Sequence, residues 1–362
     1  MKTVEDIYRV LDGLAPFADA ESWDNCGILV GNRKNGVHAA LVALDVTAQV
    51  IDEAARQGCG LIISHHPVIF SPLKAVCENS MVYRLIREDI AVISAHTNLD
   101  VAGQGVTAAL AARLGLSNTR GLQALKQESF YKIQTFVPPA QAEAVRAAMA
   151  AAGAGALDGY SGCAYQTMGE GCFLPGAGTN PAIGKVGEFK RTPEVKLEML
   201  CAPDRVDAVI RALRQAHPYE VPAYDLLANS AVRRTVFLGL VGELAEEMEE
   251  EAFARHVKQA LNAVSVRYTR AGRRIRRVAV CSGAGDVALP DALRMGVDAF
   301  VTGECKHHNL LLADKEGLCL VTAGHFATEN VVCAPLAAML SERLPEVAFY
   351  ASAAGGDPES AV

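Results

Sequence analysis

The stretch LIISHHPVIF, residues 61–70, indicates both the fold and the position of a candidate site. Three large apolar residues precede Ser64, and two adjacent histidines, His65 and His66, follow it. A short apolar run without polar alternation is typical of a parallel strand covered on both faces by helices. Ligands of open α/β sheets bind just beyond the carboxyl ends of such strands. The two histidines therefore stand where a functional site is expected.

A similar arrangement occurs a second time near the C-terminus. The run AFVTGE, residues 299–304, again places polar residues directly after an apolar strand, and a strand and a helix precede it as they precede residues 61–66. A constant offset of 238 places Gly58 on Gly296. Self-similarity of this kind indicates two related structural units.

Polar residues follow four apolar strands in these two units. Two β-α-β units packed face to face would bring all four strand ends into one cleft, since parallel strands of a unit end at the same edge. The expected fold is therefore α/β, with two similar β-α-β-type units forming a metal-binding core. The four polar segments are SHH (64–66), AHTNLD (95–100), TGECKHH (302–308) and AGHFATEN (323–330).

A different pattern separates the two units. It follows the order β-α-β-β-α-β, which is that of a ferredoxin-like α+β module, and its Gly-rich stretch at 159–184 is interpreted as a packed loop. The predicted organisation is a first arm of the core at 1–126, a ferredoxin-like insert at 127–233, a second arm at 234–350 and a flexible tail at 351–362.

The adjacent histidines are candidates for metal binding. Neighbouring side chains of an extended strand point in opposite directions, so His65 and His66 suit two different metal ions better than one. The alternative is a hydrogen-bonded pair at the end of a strand.

Two further pairs have the spacing of one helical turn. His325 and Glu329 share a helix face, where an imidazole and a carboxylate form a mixed chelate and the carboxylate can bridge two ions. Most pairs with this spacing are merely surface residues. His96 and Asp100 repeat the spacing, but Asp100 could equally be a helix N-cap, and we interpret His96 as a supporting or substrate-facing residue.

Loop residues complete the set of candidates. Glu304, Lys306, His307 and His308 follow the strand at 299–302 and could act as general acid or base or bind an anionic substrate. A solvated loop is the alternative. A separate cluster, Trp23, Asp24 and Asn25, is explained by a turn with Asp and Asn caps and needs no function.

Composition excludes several classes of function. The net charge of −7 over 362 residues argues against nucleic acid as the main ligand. No apolar run reaches the roughly 18 residues that a membrane span needs, and the start lacks the pattern of a secretory signal, so we expect a cytoplasmic protein. The 10 cysteines contain no CxxC pair and are interpreted as reduced thiols. A ligand set of His and carboxylates favours Zn, Fe, Mn, Co or Ni without choosing among them.

The motifs together resemble those of the Nif-three-like dinuclear metal-centre family, often labelled GTP cyclohydrolase I type 2 homologs. The resemblance covers residues 1–125 and 235–350, and the segment HPYEVPAYDL, 217–226, is similar to the end of CutA-like, PII-like trimeric modules found as inserts in long bacterial members. It implies a toroidal homohexamer, a trimer of dimers, with two divalent ions per subunit facing an internal cavity. The implied metal ligands are His65, His66, Asp100, His325 and a bridging Glu329.

Two classes of function follow. As an enzyme, the protein would be a metal-dependent hydrolase in which His96, Glu304 or His308 moves protons, and the family label suggests a purine nucleotide such as GTP as the small-molecule substrate. The alternative is a non-catalytic hexamer that handles metal or acts as a regulatory scaffold, with the insert sensing a small ligand or holding the trimer together. An open coordination position would distinguish the enzyme, because catalytic metals keep an exchangeable water.

Overall fold

The computed structural model describes residues 1–157 and 159–360 and has a mixed α/β fold with several sheets. The chain divides into two compact units: unit 1 comprises Met1–Leu125 and Val236–Val362, and unit 2 comprises Lys126–Thr235. Both arms of the expected core therefore belong to unit 1. Within the described ranges, no helix has the length and apolar character to cross a membrane.

The helices and strands of the two units are numbered in chain order. The strands are β1 (Lys2–Thr3), β2 (Gly27–Val30), β3 (Gly36–Val37), β4 (Ala39–Ala43), β5 (Leu61–Ser64), β6 (Ala91–Ser94), β7 (Ser117–Val137), β8 (Ala164–Phe173), β9 (Lys190–Cys201), β10 (Tyr224–Met248), β11 (Arg267–Tyr268), β12 (Ile275–Cys281), β13 (Ala299–Thr302), β14 (Cys319–Thr322) and β15 (Ala348–Ala351). The helices are α1 (Val4–Leu14), α2 (Ala48–Arg56), α3 (Met81–Arg87), α4 (Thr97–Asp100), α5 (Val106–Arg113), α6 (Ala142–Ala151), α7 (Val206–Ala216), α8 (Glu250–Leu261), α9 (Leu289–Arg294), α10 (His307–Lys315), α11 (His325–Glu329) and α12 (Cys333–Arg343).

The first sheet of unit 1 has the strand order β15-β4-β5-β6-β2. Strands β4, β5, β6 and β15 are parallel, and β2 closes one edge antiparallel to β6. Ser64 at the end of β5 pairs in register with Ser94 at the end of β6, and their hydroxyls lie 2.8 Å apart. The two strands therefore end level with each other, just before His65 and His96.

The second sheet repeats this parallel arrangement. Strands β12, β13 and β14 are parallel neighbours, with β11 at one edge and the later part of β10 pairing antiparallel to β12. At the offset of 238, the bounds of β5 coincide with those of β13. The repeat expected from the sequence is confirmed at this pair of strands.

Helices cover both faces of each parallel sheet. On the first sheet, apolar residues of α1 and α12 pack on one face, while residues of α2 and α3 pack on the other. On the second sheet, α8 covers one face, and α9 and α10 cover the other. Side chains removed from water on both sides explain why these strands carry no polar alternation.

Elements of the two arms exchange partners across unit 1. Leu110 of α5, which follows the first sheet in the chain, packs into the core of the second sheet. Leu336 of α12 and the strand β15, which follow the second sheet, instead join the first. This exchange packs the carboxyl ends of the two sets of parallel strands against each other and creates the cleft expected from the sequence.

Unit 2 follows the element order β7, α6, β8, β9, α7, β10, and its sheet has the order β10-β7-β9-β8. The pairs β7·β9 and β8·β9 are antiparallel. Apolar side chains of α6 and α7, among them Val145 and Leu213, pack against Ile133 and Leu197 on one face of the sheet. The Gly-rich stretch is not only a loop as expected, because its residues 164–173 form β8 against β9.

The expected flexible tail begins with residues attached to unit 1. Glu53 of α2 accepts hydrogen bonds from Ser352 Oγ and from the backbone N–H groups of Ala353 and Ala354. Residues 361 and 362 of that tail lie outside the described residues.

Candidate metal centre

His65 lies deepest in the cleft of unit 1. Its Nδ1 donates to the carbonyl oxygen of Ala95 at 3.0 Å, which leaves Nε2 as the free electron-pair donor. That Nε2 is buried, has no hydrogen-bond partner among the described residues, and lies 3.6 Å from Asp100 Oδ1 and 3.8 Å from Glu329 Oε2. A buried nitrogen with a free lone pair, facing two carboxylates, is a candidate ligand for a metal ion.

His66 and His325 approach the same carboxylate from opposite arms. The Nε2 atoms of both rings lie 3.0 Å from Glu329 Oε2. On the other side of each ring, His66 Nδ1 donates to Asp45 at 2.7 Å and His325 Nδ1 donates to Glu304 at 2.7 Å. These outer bonds fix the orientation of each imidazole.

Glu329 occupies the centre of the group. It ends α11 one turn after His325, and only 4% of its surface is exposed. Its Oε2 faces the Nε2 atoms of three imidazoles, but within the part of the chain that the structure describes it has no hydrogen-bond partner of good geometry. The expectation that His325 and Glu329 share a helix face is confirmed by α11.

Gly283 provides the space that Glu329 occupies. Its φ of +56° lies in the left-handed region, and a Cβ at this position would stand 2.0 Å from Glu329 Oε1. The adjacent Ser282 donates from Oγ to Asp100 Oδ1 at 3.3 Å. The turn after β12 therefore positions both carboxylates of the cleft.

His96 completes a ring of four histidines. Its ring centroid lies 5.1 Å from that of His65 and 5.5 Å from that of His66. Its Nδ1 donates to Asp24 at 2.9 Å, and the same carboxylate accepts from the N–H and hydroxyl groups of Thr97. The interpretation of residues 23–25 as a turn without function missed this support of His96.

The four histidines share one pattern. Each Nδ1 donates to a fixed acceptor, and this leaves Nε2 free for the cleft. In metal sites the outer ring nitrogen of a histidine is held in this way by a carboxylate or a backbone carbonyl. Ligand atoms within 4.8 Å of one another define three groups that could hold an ion: His65, His66 and His96; His66, His325 and Glu329; and His65, Asp100 and Glu329. The donor set therefore fits divalent cations, and Glu329 belongs to two of the groups.

The electrostatics of the cleft favour a cation. Burial lowers the pKa of His65 to about 4, so this ring is neutral. Burial acts in the same direction on His66, but the hydrogen bond to Asp45 and the nearby carboxylate of Glu329 outweigh that effect and raise the pKa of His66 to about 10. The nearby carboxylate of Glu329 raises the pKa of His325 to about 9. Protons on His66 and His325 thus balance the negative charge of the buried Glu329, and a bound metal ion would take the place of those protons.

Asp100 does not cap the helix that follows it, although its sequence position allowed that role. It is the last residue of α4, and the N-cap of α5 is Gly105, so the N-cap alternative is wrong. Burial, together with the charge of Glu329, raises the pKa of Asp100.

The alternative of a hydrogen-bonded pair is also wrong for His65 and His66, because each ring has its own separate partners.

Two predicted candidates for proton transfer, Glu304 and His308, differ in their contact with the cluster. Glu304 contacts the cluster through His325 Nδ1. His308 lies exposed in the first turn of α10, and among the described residues it has no hydrogen bond or ion pair with the cluster. The structure therefore brings Glu304 and His96 to the five predicted ligands and leaves His308 outside.

Known proteins resemble this chain over nearly its whole length. A relative from Halalkalibacterium halodurans, named "GTP cyclohydrolase 1 type 2 homolog", is 37% identical over 326 residues, which cover 89% of this chain and 88% of the relative. A crystal structure of a Bacillus cereus protein related to NIF3 is 36% identical, with a TM-score of 0.89 and coverage of 100% of this chain and 99% of that chain. A Staphylococcus aureus crystal structure is 30% identical, with a TM-score of 0.76 and coverage of 100% and 99%.

A family model described as Duf34/NIF3 (NGG1p interacting factor 3) matches residues 2–358. This match spans both arms and the insert, and it confirms the resemblance noted in the sequence motifs. The chain belongs to the Duf34/NIF3 family.

Proposed function

We propose that the cleft of unit 1 binds two divalent metal ions that share Glu329. One ion would take His65, Asp100 and Glu329, and the other would take His66, His325 and Glu329. The observation that carries the proposal is the buried Glu329 Oε2, which faces the Nε2 atoms of three histidines and has no well-formed hydrogen bond to any described residue. A carboxylate in that position can bridge two ions.

The chemistry of this site favours hydrolysis. Divalent ions lower the pKa of a bound water and polarise the bond that it attacks. His96, whose Nδ1 is held by Asp24, presents Nε2 beside His65 and His66 and is the group best placed to exchange a proton with a substrate. Glu304 acts through His325 as a positioning residue. His308 is exposed and, among the described residues, has no bond to the cluster, so we assign it no part in the proposed reaction.

Metal content tests the first part of the proposal. We expect about two ions per chain in protein purified without an affinity tag, and near none in Glu329→Ala, because both groups then lose a ligand. His308→Ala is the matched control, since this exposed imidazole lies outside the cluster and its loss leaves the content unchanged. A Glu329→Ala protein that keeps two ions would overturn the bridging assignment.

Turnover tests the second part. The metal-loaded chain should hydrolyse at least one of p-nitrophenyl phosphate, bis(p-nitrophenyl) phosphate and GTP, the last suggested by the name of the relatives. Chelation should abolish the activity, metal should restore it, and His96→Ala should lower kcat far more than metal content. A chain that holds two ions and turns over none of the three would refute this hydrolase activity and leave metal binding intact.

We also propose that residues 127–233 form a ferredoxin-like module. The strand order β10-β7-β9-β8 and the packing of α6 and α7 on one face of the sheet support it.

A further inference from the structure

Unit 2 contains a cavity of about 780 Å³, a volume within the range of small-molecule sites. Glu194 and Lys196 of β9 line it, whereas the alternate residues Val195 and Leu197 face the core under the helices. The cavity therefore lies on the face of the sheet opposite α6 and α7. Residues 167–176 and the segment HPYEVPAYDL, singled out in the sequence, supply most of its remaining wall.

Glu194 is a buried carboxylate in this cavity. Only 8% of its surface is exposed, and its Oε1 accepts a hydrogen bond from the Tyr219 hydroxyl at 2.7 Å. Among the described residues, Oε2 has no hydrogen bond and no ion pair. Gly171 lies directly against it, since a Cβ there would stand 2.2 Å from Oε2. One oxygen of the carboxylate is thus held in place and the other is left without a partner.

The cationic side chains near Glu194 are engaged elsewhere. Lys196 Nζ lies 3.1 Å from Glu198, and Arg191 donates to Glu170 at 2.7 Å. His217 donates from Nε2 to the carbonyl of Phe136 and accepts at Nδ1 from the N–H of Tyr219, so its ring is neutral. Burial lowers the pKa of His217, which keeps it neutral. Among the described residues of unit 2, the carboxylate of Glu194 therefore has no counter-cation.

Apolar and aromatic groups form the rest of the wall. The rings of Phe173 and Tyr219 lie 6.1 Å apart, and Met168, Leu174 and Val221 present apolar side chains that are largely exposed. A hydrogen bond from Asn180 N to Glu220 at 3.0 Å holds the loop that carries Leu174 against the segment 217–226. Such a wall suits a flat apolar body, while a buried carboxylate suits a positive group.

We propose that this cavity binds a small amphipathic cation, with an apolar ring system against the aromatic wall and an ammonium or amidinium group on Glu194 Oε2. The site is separate from the metal centre and does not depend on it. A ligand cation satisfies the free oxygen of Glu194 and neutralises a buried charge, whereas an anion of the same shape is repelled.

Calorimetric titration of the full chain with two matched probes tests this. Tryptamine and indole-3-acetate share the indole body but carry opposite charges. We expect tryptamine to bind at least about tenfold more tightly, which corresponds to about 1.4 kcal/mol. Glu194→Gln keeps the shape and the hydrogen bond from Tyr219, and it should bring the ratio of the two affinities close to one. Glu143→Gln, an exposed carboxylate of α6 on the opposite face of the sheet, is the control and should keep the wild-type ratio.

A second variant guards against misfolding of Glu194→Gln. Tyr219→Phe removes the hydroxyl bond but leaves the charge, so the preference for tryptamine should persist or increase. Equal binding of the two probes to the wild type, or a tenfold preference that survives in Glu194→Gln, contradicts the proposal. Failure of both probes to bind also overturns it. If Val221→Asp then lowers the oligomeric state, the occupant of this surface is a second copy of the chain.

Discussion

Replacing Gly283 by Ala is expected to disable the metal centre while leaving the fold intact. The new Cβ would stand 2.0 Å from Glu329 Oε1, whereas an ordinary contact begins at about 3.4 Å. Oε1 must therefore withdraw by about 1.4 Å, and its surroundings are already packed, since a Cβ here would also lie 3.2 Å from His325 Nε2. Metal–ligand distances tolerate only about 0.2 Å. We expect metal affinity to fall by at least about 100-fold.

The same change also strains the backbone. A non-glycine residue in the left-handed region costs about 1–2 kcal/mol, which lowers Tm by a few degrees. Gly296→Ala separates the two effects. Gly296 has a φ of +62°, but no atom of residues 1–157 or 159–360 lies within 4 Å of the Cβ that alanine would add. The control should lose similar stability and keep its metal.

Metal content by mass spectrometry and thermal unfolding of the two metal-free variants complete the comparison. Equal metal content in Gly283→Ala and Gly296→Ala would show that the contact with Glu329 does not control metal binding. A loss of metal in both variants would do the same, because backbone strain alone would then suffice to explain it.

Three further outcomes are expected. Asp24→Asn should lower kcat by about 10–100-fold and leave metal content unchanged, because Asp24 orients His96. Ni²⁺ should quench the fluorescence of Trp23, the chain's single tryptophan, whose ring centroid lies 6.3 Å from that of His96, and Glu329→Ala should reduce this quenching because it loses the metal. Burial alone would raise the pKa of Glu53, but bonds from Ser352 and the two following residues outweigh it and lower that pKa. The stabilisation by Glu53 is therefore complete above its unfolded pKa of about 4.3 and is lost as the pH falls through its lower folded value. Glu53→Gln should cost about 1.5–3 kcal/mol in denaturant unfolding at pH 7, and the difference from wild type should shrink near pH 3.

Much of the core could be predicted because its signals are local. Apolar runs such as LIIS and AFVT form the parallel strands β5 and β13, and the polar residues that follow them converge in the cleft. His325 and Glu329 share a face of α11 because helical spacing alone determines it. These features depend on the residues of one strand or helix and on the rule that ligands collect at the carboxyl ends of parallel strands.

The supporting residues could not be found in this way, because their partners are distant in sequence. Asp24 and His96 are separated by 72 positions and meet only in the folded chain. The repeat did contain one unused signal: the offset of 238 places Asp45, which holds His66, on Gly283, which makes room for Glu329. Asp45 follows the end of β4 and Gly283 follows the end of β12, so the rule applied to strand ends could have identified them.

In unit 2, the role of the Gly-rich stretch could not be predicted from its own residues. The Gly-rich stretch was expected to be a packed loop, yet it supplies β8 and part of a cavity wall. Gly171 is required there because the carboxylate of Glu194 occupies the space of a side chain. Glycine in a sequence usually indicates a turn, and only the neighbouring strand reveals a close approach of this kind.

Anomalous diffraction from crystals grown with Zn²⁺, recorded at the zinc absorption edge, would show whether two metal ions share Glu329. We expect two peaks per chain, one beside His65 and Asp100 and one beside His66 and His325, each within coordination distance of Glu329. A single peak, or two peaks of which one does not contact Glu329, would rule out the shared site.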